Sequence, residues 1–163
     1  MTGPISSTKA KVFMEAAGTP CDTITAYDAL TWLRVKRLSS YGDIGETAAA
    51  IEYTDVDEGE DHVLKGSVNR GEFQIELNWD GADAGQAAMQ TAFEAIHDIN
   101  IKVAFPDDPG GVGSQPTRLC FPAAVMSWKH VLGDGKRVVG ITYNCRINGR
   151  VVKGPRVVPA GGS

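Results

Sequence analysis

From Glu72 to Trp79, apolar and polar residues alternate without a break: Phe73, Ile75, Leu77 and Trp79 stand between Glu72, Gln74, Glu76 and Asn78. The same period of two returns at Ile99, Ile101, Val103 and Phe105, and at Val139, Ile141, Tyr143, Cys145 and Ile147. Side chains of a strand point alternately to opposite faces, so each segment reads as a half-buried strand with one face inward. Weaker strand patterns lie at Lys9–Met14, Thr31–Leu38, Thr47–Tyr53, His62–Val68 and Arg118–Trp128. Turn chemistry joins several of them. Asn69-Arg70-Gly71 links His62–Val68 to the next strand, Gly133-Asp134-Gly135 separates two others, and Asn148-Gly149 is a type I′ signal into Arg150–Val152. The expected sheet is therefore antiparallel.

One segment breaks the pattern. Asp83 is an N-cap with Gln86 three residues on, and Ala84, Ala88, Met89, Ala92, Phe93, Ala95 and Ile96 form an apolar stripe at helical spacing, ending near His97. The expected fold class is mainly β (α+β): an antiparallel β-sandwich or half-barrel with one packed α-helix. At 163 residues the chain is a single domain, 1–163, large enough to hold a core without metals or disulfides. A flexible N-terminus (1–8), a mobile acidic loop (40–62), a turn-rich loop (106–117) and a C-terminal tail (153–163) are expected around it. Apolar runs reach only four or five residues, so no membrane partner is expected. The N-terminus lacks the apolar stretch of a signal peptide. The cysteines, Cys21, Cys120 and Cys145, are odd in number and lack CxxC spacing, which points to free thiols.

Charge is segregated. Between Ser40 and Leu64 stand Asp43, Glu46, Glu52, Asp55, Asp57, Glu58, Glu60 and Asp61 with no Lys or Arg; between Gly135 and Ser163 stand Lys136, Arg137, Arg146, Arg150, Lys153 and Arg156 with no acid. Such segments are either solvated surface or complementary patches on successive copies, a heterologous contact that closes rings or extends filaments. The net charge of −4 argues against tight nucleic-acid binding.

No catalytic or cofactor motif stands out. Counted from Asp55, an EF-hand would need Gly at position six and Glu at twelve; Gly59 falls at five and Gly66 at twelve. His62, His97 and His130 share no metal-ligand spacing. Gly110–Ser114 lacks the lysine of a phosphate loop, and GxSxG is absent. Cys120 and Cys145 sit in strand patterns without a partnered base. Glu72 and Glu76, on one face of a strand, read better as a wet surface than as paired catalytic carboxylates. No enzyme activity, metal or cofactor is expected.

The succession FQIELNWDGADAGQAAMQTAF (Phe73–Phe93), INIKVAFPDD (Ile99–Asp108), CFPAAVMSW (Cys120–Trp128) and TYNCRINGR (Thr142–Arg150) resembles the major tail tube protein of long-tailed bacteriophages with non-contractile, lambda-like tails. The resemblance covers about residues 39–151. The DDPGGVGSQP insertion after Phe105 departs from it. It implies a hexameric ring, sheets joined edge to edge, and rings stacked head to tail into a hollow tube that conducts DNA without binding it specifically. It further implies tail terminator, tape measure and tail tip partners, assembly in the bacterial host cytoplasm and a place in the virion tail. Asp43, Glu46, Asp55, Asp57, Glu58, Glu60, Asp61, Arg146, Arg150, Lys153 and Arg156 are the assembly residues on this reading; Glu72, Gln74, Glu76 and Asn78 are one candidate lining of a lumen of net negative character, and the acidic stretch is the other. The alternatives are a type VI secretion ring protein of the same fold and a small-molecule-binding β-barrel with an apolar cavity.

Overall fold

The computed structural model describes residues 4–159. The elements are β1 (Lys11–Glu15), α1 (Ile24–Asp28), β2 (Leu33–Val35), β3 (Leu38–Tyr41), β4 (Thr47–Asp55), β5 (Glu60–Asn69), β6 (Glu72–Asn78), α2 (Ala84–Glu94), β7 (Ile99–Ala104), β8 (Arg118–Val131), β9 (Gly140–Ile147) and β10 (Val152–Gly154). One sheet runs in the order β2-β1-β7-β8-β9-β6-β3, with β10 paired to β8, while among the described residues β4 and β5 pair only with each other. Every pairing is antiparallel.

Two features curl this sheet. β8 changes partner halfway: Arg118–Ala123 pairs with β7 and Ala123–Val131 with β9, with a register shift between Val125 and Ser127. An irregularity of this kind bends a strand and increases its twist. The sheet's two outermost strands, β2 and β3, are also neighbours in sequence, separated only by Lys36 and Arg37. Three peptide steps span at most ~11 Å, so the two edges must approach at that corner. Arg37 takes a left-handed φ of 65° there. The result is a half-barrel around one core, with Phe73, Ile75 and Leu77 from β6, Ile141, Tyr143 and Cys145 from β9, and Val12, Met14, Ile101, Val103 and Phe121 from the opposing strands.

Helix α2 closes one end of that core through Met89 and Ala92. The Asp83 carboxylate caps it, accepting from the Gln86 amide. Gln86 does not complete a capping box. Its buried side chain accepts from the Asp80 amide and donates to the Lys36 and Asn78 carbonyls, tying the helix start to the β2–β3 corner and the end of β6. The first turn packs so closely on β2 that a Cβ on Gly85 would lie 2.2 Å from the Arg34 carbonyl oxygen. This approach buries Gly85 and Gln86 and turns Phe93 outward. The helix ends at Glu94, so Ile96 lies beyond it and is fully exposed.

Several connections differ from those expected. Asn69-Arg70-Gly71 is not a hairpin turn: β5 pairs with β4, and β6 lies between β9 and β3. Asn148-Gly149 leads instead to β10, which crosses to β8. Thr31–Leu38 breaks at the corner into β2 and the start of β3. Residues 40–62 are not a loop but the end of β3, all of β4 and the start of β5; the weak strand patterns at Thr47–Tyr53 and His62–Val68 fall within β4 and β5. The segment 153–163 is paired through β10 and through a bridge from Val157 to Gln115, as far as residue 159 is described. The short helix α1 lacks a periodic stripe. It buries Tyr27 against Cys120 and Val152 in a second cluster on the other side of the sheet.

Candidate functional site

The half-barrel has a four-stranded layer, β3-β6-β9 and the second half of β8, with an unpaired edge on each side. Among the described residues β3 pairs only with β6. On the other side, β7 stops pairing with β8 at Ala123, so among the described residues Ala124–Val131 has β9 as its only partner. Unpaired edges present rows of N–H and C=O groups that template another strand. The overhang of β8 carries Trp128 and His130 past the covered core. His130 meets Trp128 and Trp79 edge-on, at 5.5 and 6.1 Å between ring centres. All three side chains are exposed.

The face of this layer away from the core is polar. Residues paired in register share a face, which gives rows Ala124–Arg146–Glu72, Ser127–Asn144–Gln74, Lys129–Thr142–Glu76–Ser40 and Val131–Gly140–Asn78. Glu72, Gln74, Glu76 and Asn78 are all exposed on it. The expected negative character is not what the rows carry. Glu72 and Glu76 are balanced by Arg146 and Lys129, with Arg146 directly opposite Glu72.

The acidic segment forms a β4–β5 hairpin standing away from the body. From the Thr47↔Asn69 pair to the Asp55↔Glu60 pair it extends ~27 Å at ~3.4 Å per residue. Nearly every residue of β4 is exposed, including Ile51 and Tyr53, as are Val63 and Leu64 on β5. Asp55, Asp57, Glu58, Glu60 and Asp61 crowd its tip. The Asp55 carboxylate shapes the turn by accepting from the Asp57 and Glu58 amides, and Gly59 supplies the positive φ of 67°. Asp61 accepts from the Thr54 hydroxyl. Asp55, Glu58 and His62 bring donor atoms within 4.8 Å of one another, with Glu58 exposed and the other two half-buried. Asp43 is exposed at the hairpin's root. Glu46 is already engaged within the chain. It accepts from the Val151 amide and lies 3.4 Å from Arg70 Nε.

The basic residues do not gather into one patch. Arg146 lies on the polar face, Lys153 is exposed on β10 opposite Leu119, and Arg150 is exposed in the β9–β10 connection. Arg156 stands apart, next to the loop 106–117 through the Val157–Gln115 bridge. That loop is held at its root, where Asp107 accepts from the Thr117 amide and hydroxyl. Sequence reasoning passed over Arg118. Buried on β8, it makes a two-pronged contact with Asp28 of α1, 2.8 and 2.6 Å, and donates to the Pro116 and Pro155 carbonyls. Burial pushes the Cys120 and Cys145 thiols up to about 12, so neither supplies a thiolate at neutral pH.

No protein-family model matches the chain, and no curated protein is similar to it in sequence. Its fold does match solved structures. A sheath/tube terminator of the extracellular contractile injection system PVC superposes with TM-score 0.69 at 12% identity, covering 94% of this chain and 98% of that one. The SPP1 tail tube superposes with TM-score 0.62 at 17% identity, covering 95% and 81%. A tail chain of an empty gene transfer agent particle, refined with C6 symmetry, gives TM-score 0.62 at 14% identity over 91% and 97%. The chain therefore has a fold of the tail-tube type, mainly antiparallel β. The fold occurs in contractile and other tube assemblies alike, so it does not by itself select the lambda-like class.

Proposed function

We propose that this chain is a structural tube subunit that assembles by joining its four-stranded layers edge to edge. The observation that carries the reading is the pair of unpaired edges, β3 on one side and Ala124–Val131 of β8 on the other. The layer has an even number of alternating antiparallel strands. β3 of one copy therefore meets β8 of the next in the antiparallel sense, and the pairing repeats around a ring. Six copies, on the symmetry of the gene transfer agent tail, set roughly 24 strands around the bore. At ~4.8 Å between strands, that wall is roughly 37 Å across before any tilt.

The polar face then lines the bore. Its cations are matched by Glu72 and Glu76, which leaves phosphates little net charge to hold, as a conduit for DNA requires. Rings stack head to tail, and the β4–β5 hairpin reaches between subunits. An isolated two-stranded hairpin is marginal in water, and this one exposes Ile51, Tyr53, Val63 and Leu64, which a neighbour would cover. Asp43 and the tip acids act at these contacts together with Arg150, Lys153 and Arg156. Within this reading the chain sits in the tail of a phage-like particle of the lambda-like type, with terminator, tape measure and tip proteins as partners, and is assembled in the host cytoplasm. A type VI secretion ring is the second form of the same reading, separated by whether rings elongate unaided.

Amide hydrogen exchange on free and assembled protein tests the edge pairing. Outward amides of Leu38–Tyr41 and Ala124–Val131 should gain protection together on assembly. Assembly that leaves either edge as exposed as in the monomer would sink it.

A further inference from the structure

Resting on the tube-subunit reading, we infer that the acidic hairpin tip of one copy docks into a cationic hollow on the outer face of β1, β7 and β8 of another copy. The hollow measures about 370 Å³ and is lined by Lys9, Lys11, Phe13, Lys102, Gln115 and Arg118 among others. Alternation explains how these residues meet. Val12 and Met14 of β1 and Ile101 and Val103 of β7 point into the main core, so Lys11, Phe13 and Lys102 point the other way. The Phe13↔Lys102 and Ala104↔Arg118 pairings then bring three separate strands' side chains to one place.

The charges there are not balanced. Arg118 is satisfied by Asp28 and two carbonyls. Lys102 is not: its half-buried ammonium lies 4.6 Å from the Phe13 ring centre and 4.9 Å from that of Trp32, with no carboxylate within 4.0 Å among the described residues. Burial pushes its pKa down, against smaller upward pulls from Cys120 and Asp28. Asp108 is the one carboxylate lining the hollow, and its pKa is held down chiefly by hydrogen bonds from the Gly110 amide and Ser114, with smaller help from Lys11 and Arg156. Arg156 Nε is itself buried without a hydrogen-bond partner among the described residues.

The tip has the complementary excess. Five carboxylates crowd Asp55–Asp61, and the Asp57 and Glu60 side chains make no hydrogen bond among the described residues. A tip ~27 Å from its root reaches well past its own body. Tip and hollow are different surfaces of one chain, so their contact is heterologous and propagates from copy to copy. It also names the receptor for the acids more narrowly than the C-terminal bases, of which only Arg156 lies beside the hollow.

Charge reversal with rescue tests this. K9E/K11E alters exposed side chains at the rim, D57K/E60K alters the tip, and the third protein carries all four changes. Each is checked for unchanged melting and then followed by light scattering and electron microscopy. Both double variants should elongate roughly tenfold or more slowly than the parent, with a weaker salt dependence, and the fourfold variant should recover. K9E/K11E elongating at the parent's rate overturns the docking while leaving the tube reading intact. So does a fourfold variant that stays as slow as its components. Failure of the parent protein both to assemble alone and to add to preformed tube ends overturns the tube reading itself.

Discussion

Asp83→Ala should weaken both the helix and the edge it supports. One carboxylate oxygen of Asp83 accepts from the Gln86 amide at 3.2 Å and from the Lys36 amide at 3.1 Å. The first contact is the N-cap of α2, and losing a cap costs ~1 kcal/mol. The second fixes the corner between β2 and β3. Leaving the Lys36 amide without a partner in a part-buried setting costs ~1–2 kcal/mol more. The sum, about 2–3 kcal/mol, corresponds to a fall in Tm of about 5–10 °C for a domain of this size. Asp83→Asn keeps an acceptor oxygen in place and should stay within about 1 kcal/mol of the parent. Because the corner positions β3, D83A should also slow assembly at temperatures where it remains folded. Urea denaturation and calorimetry read the first effect, and light scattering the second. D83A as stable as the parent, or D83N as unstable as D83A, would refute the reasoning.

Met89→Ala removes the fully buried side chain by which α2 closes the core, and should cost ~2–5 kcal/mol by urea denaturation. Arg118→Met should cost ~2 kcal/mol, because it strands Asp28 and two carbonyls; the cost is moderated by the partial exposure of Asp28. Alkali should unfold the protein. Thiols ionise near 9 when unfolded but at about 12 for folded Cys120 and Cys145, so the unfolded state sheds protons first. Stability should hold below pH 9 and fall from there toward pH 12, less steeply in C120A/C145A, as read from urea midpoints. In native protein at pH 8 a thiol reagent should label Cys21, which is half-buried, and spare Cys120 and Cys145, which are buried.

β6 was legible because half-burial writes a period of two into the sequence; β7 and β9 alternate as well, but Asn100 of β7 and Thr142 of β9 are buried on their second faces, so neither is the half-buried strand expected. Asp83 announced α2 for the same kind of local reason. The hairpin was not legible as a hairpin. Its strands are exposed on both faces, so TAAAIEYTD carries no burial contrast, and its acids suggested a loop. The β2–β3 corner was hidden because it depends on where the sheet's far edges meet. The polar face was named correctly on β6, but its balancing charges, Arg146 and Lys129, come from β9 and β8, and only the register brings them alongside. The cationic hollow draws Lys11, Lys102 and Arg118 from positions far apart in the chain. A lysine on the second face of the apolar strand INIKVA was the one local sign of it.

Electron cryomicroscopy of the concentrated protein tests the edge-to-edge claim most directly. The account predicts hollow tubes or stacked rings in which β3 of each subunit hydrogen-bonds to Ala124–Val131 of β8 in the next. A protein that stays monomeric at high concentration and also fails to add to preformed tube ends, or rings whose subunits meet through any other strands, would contradict it.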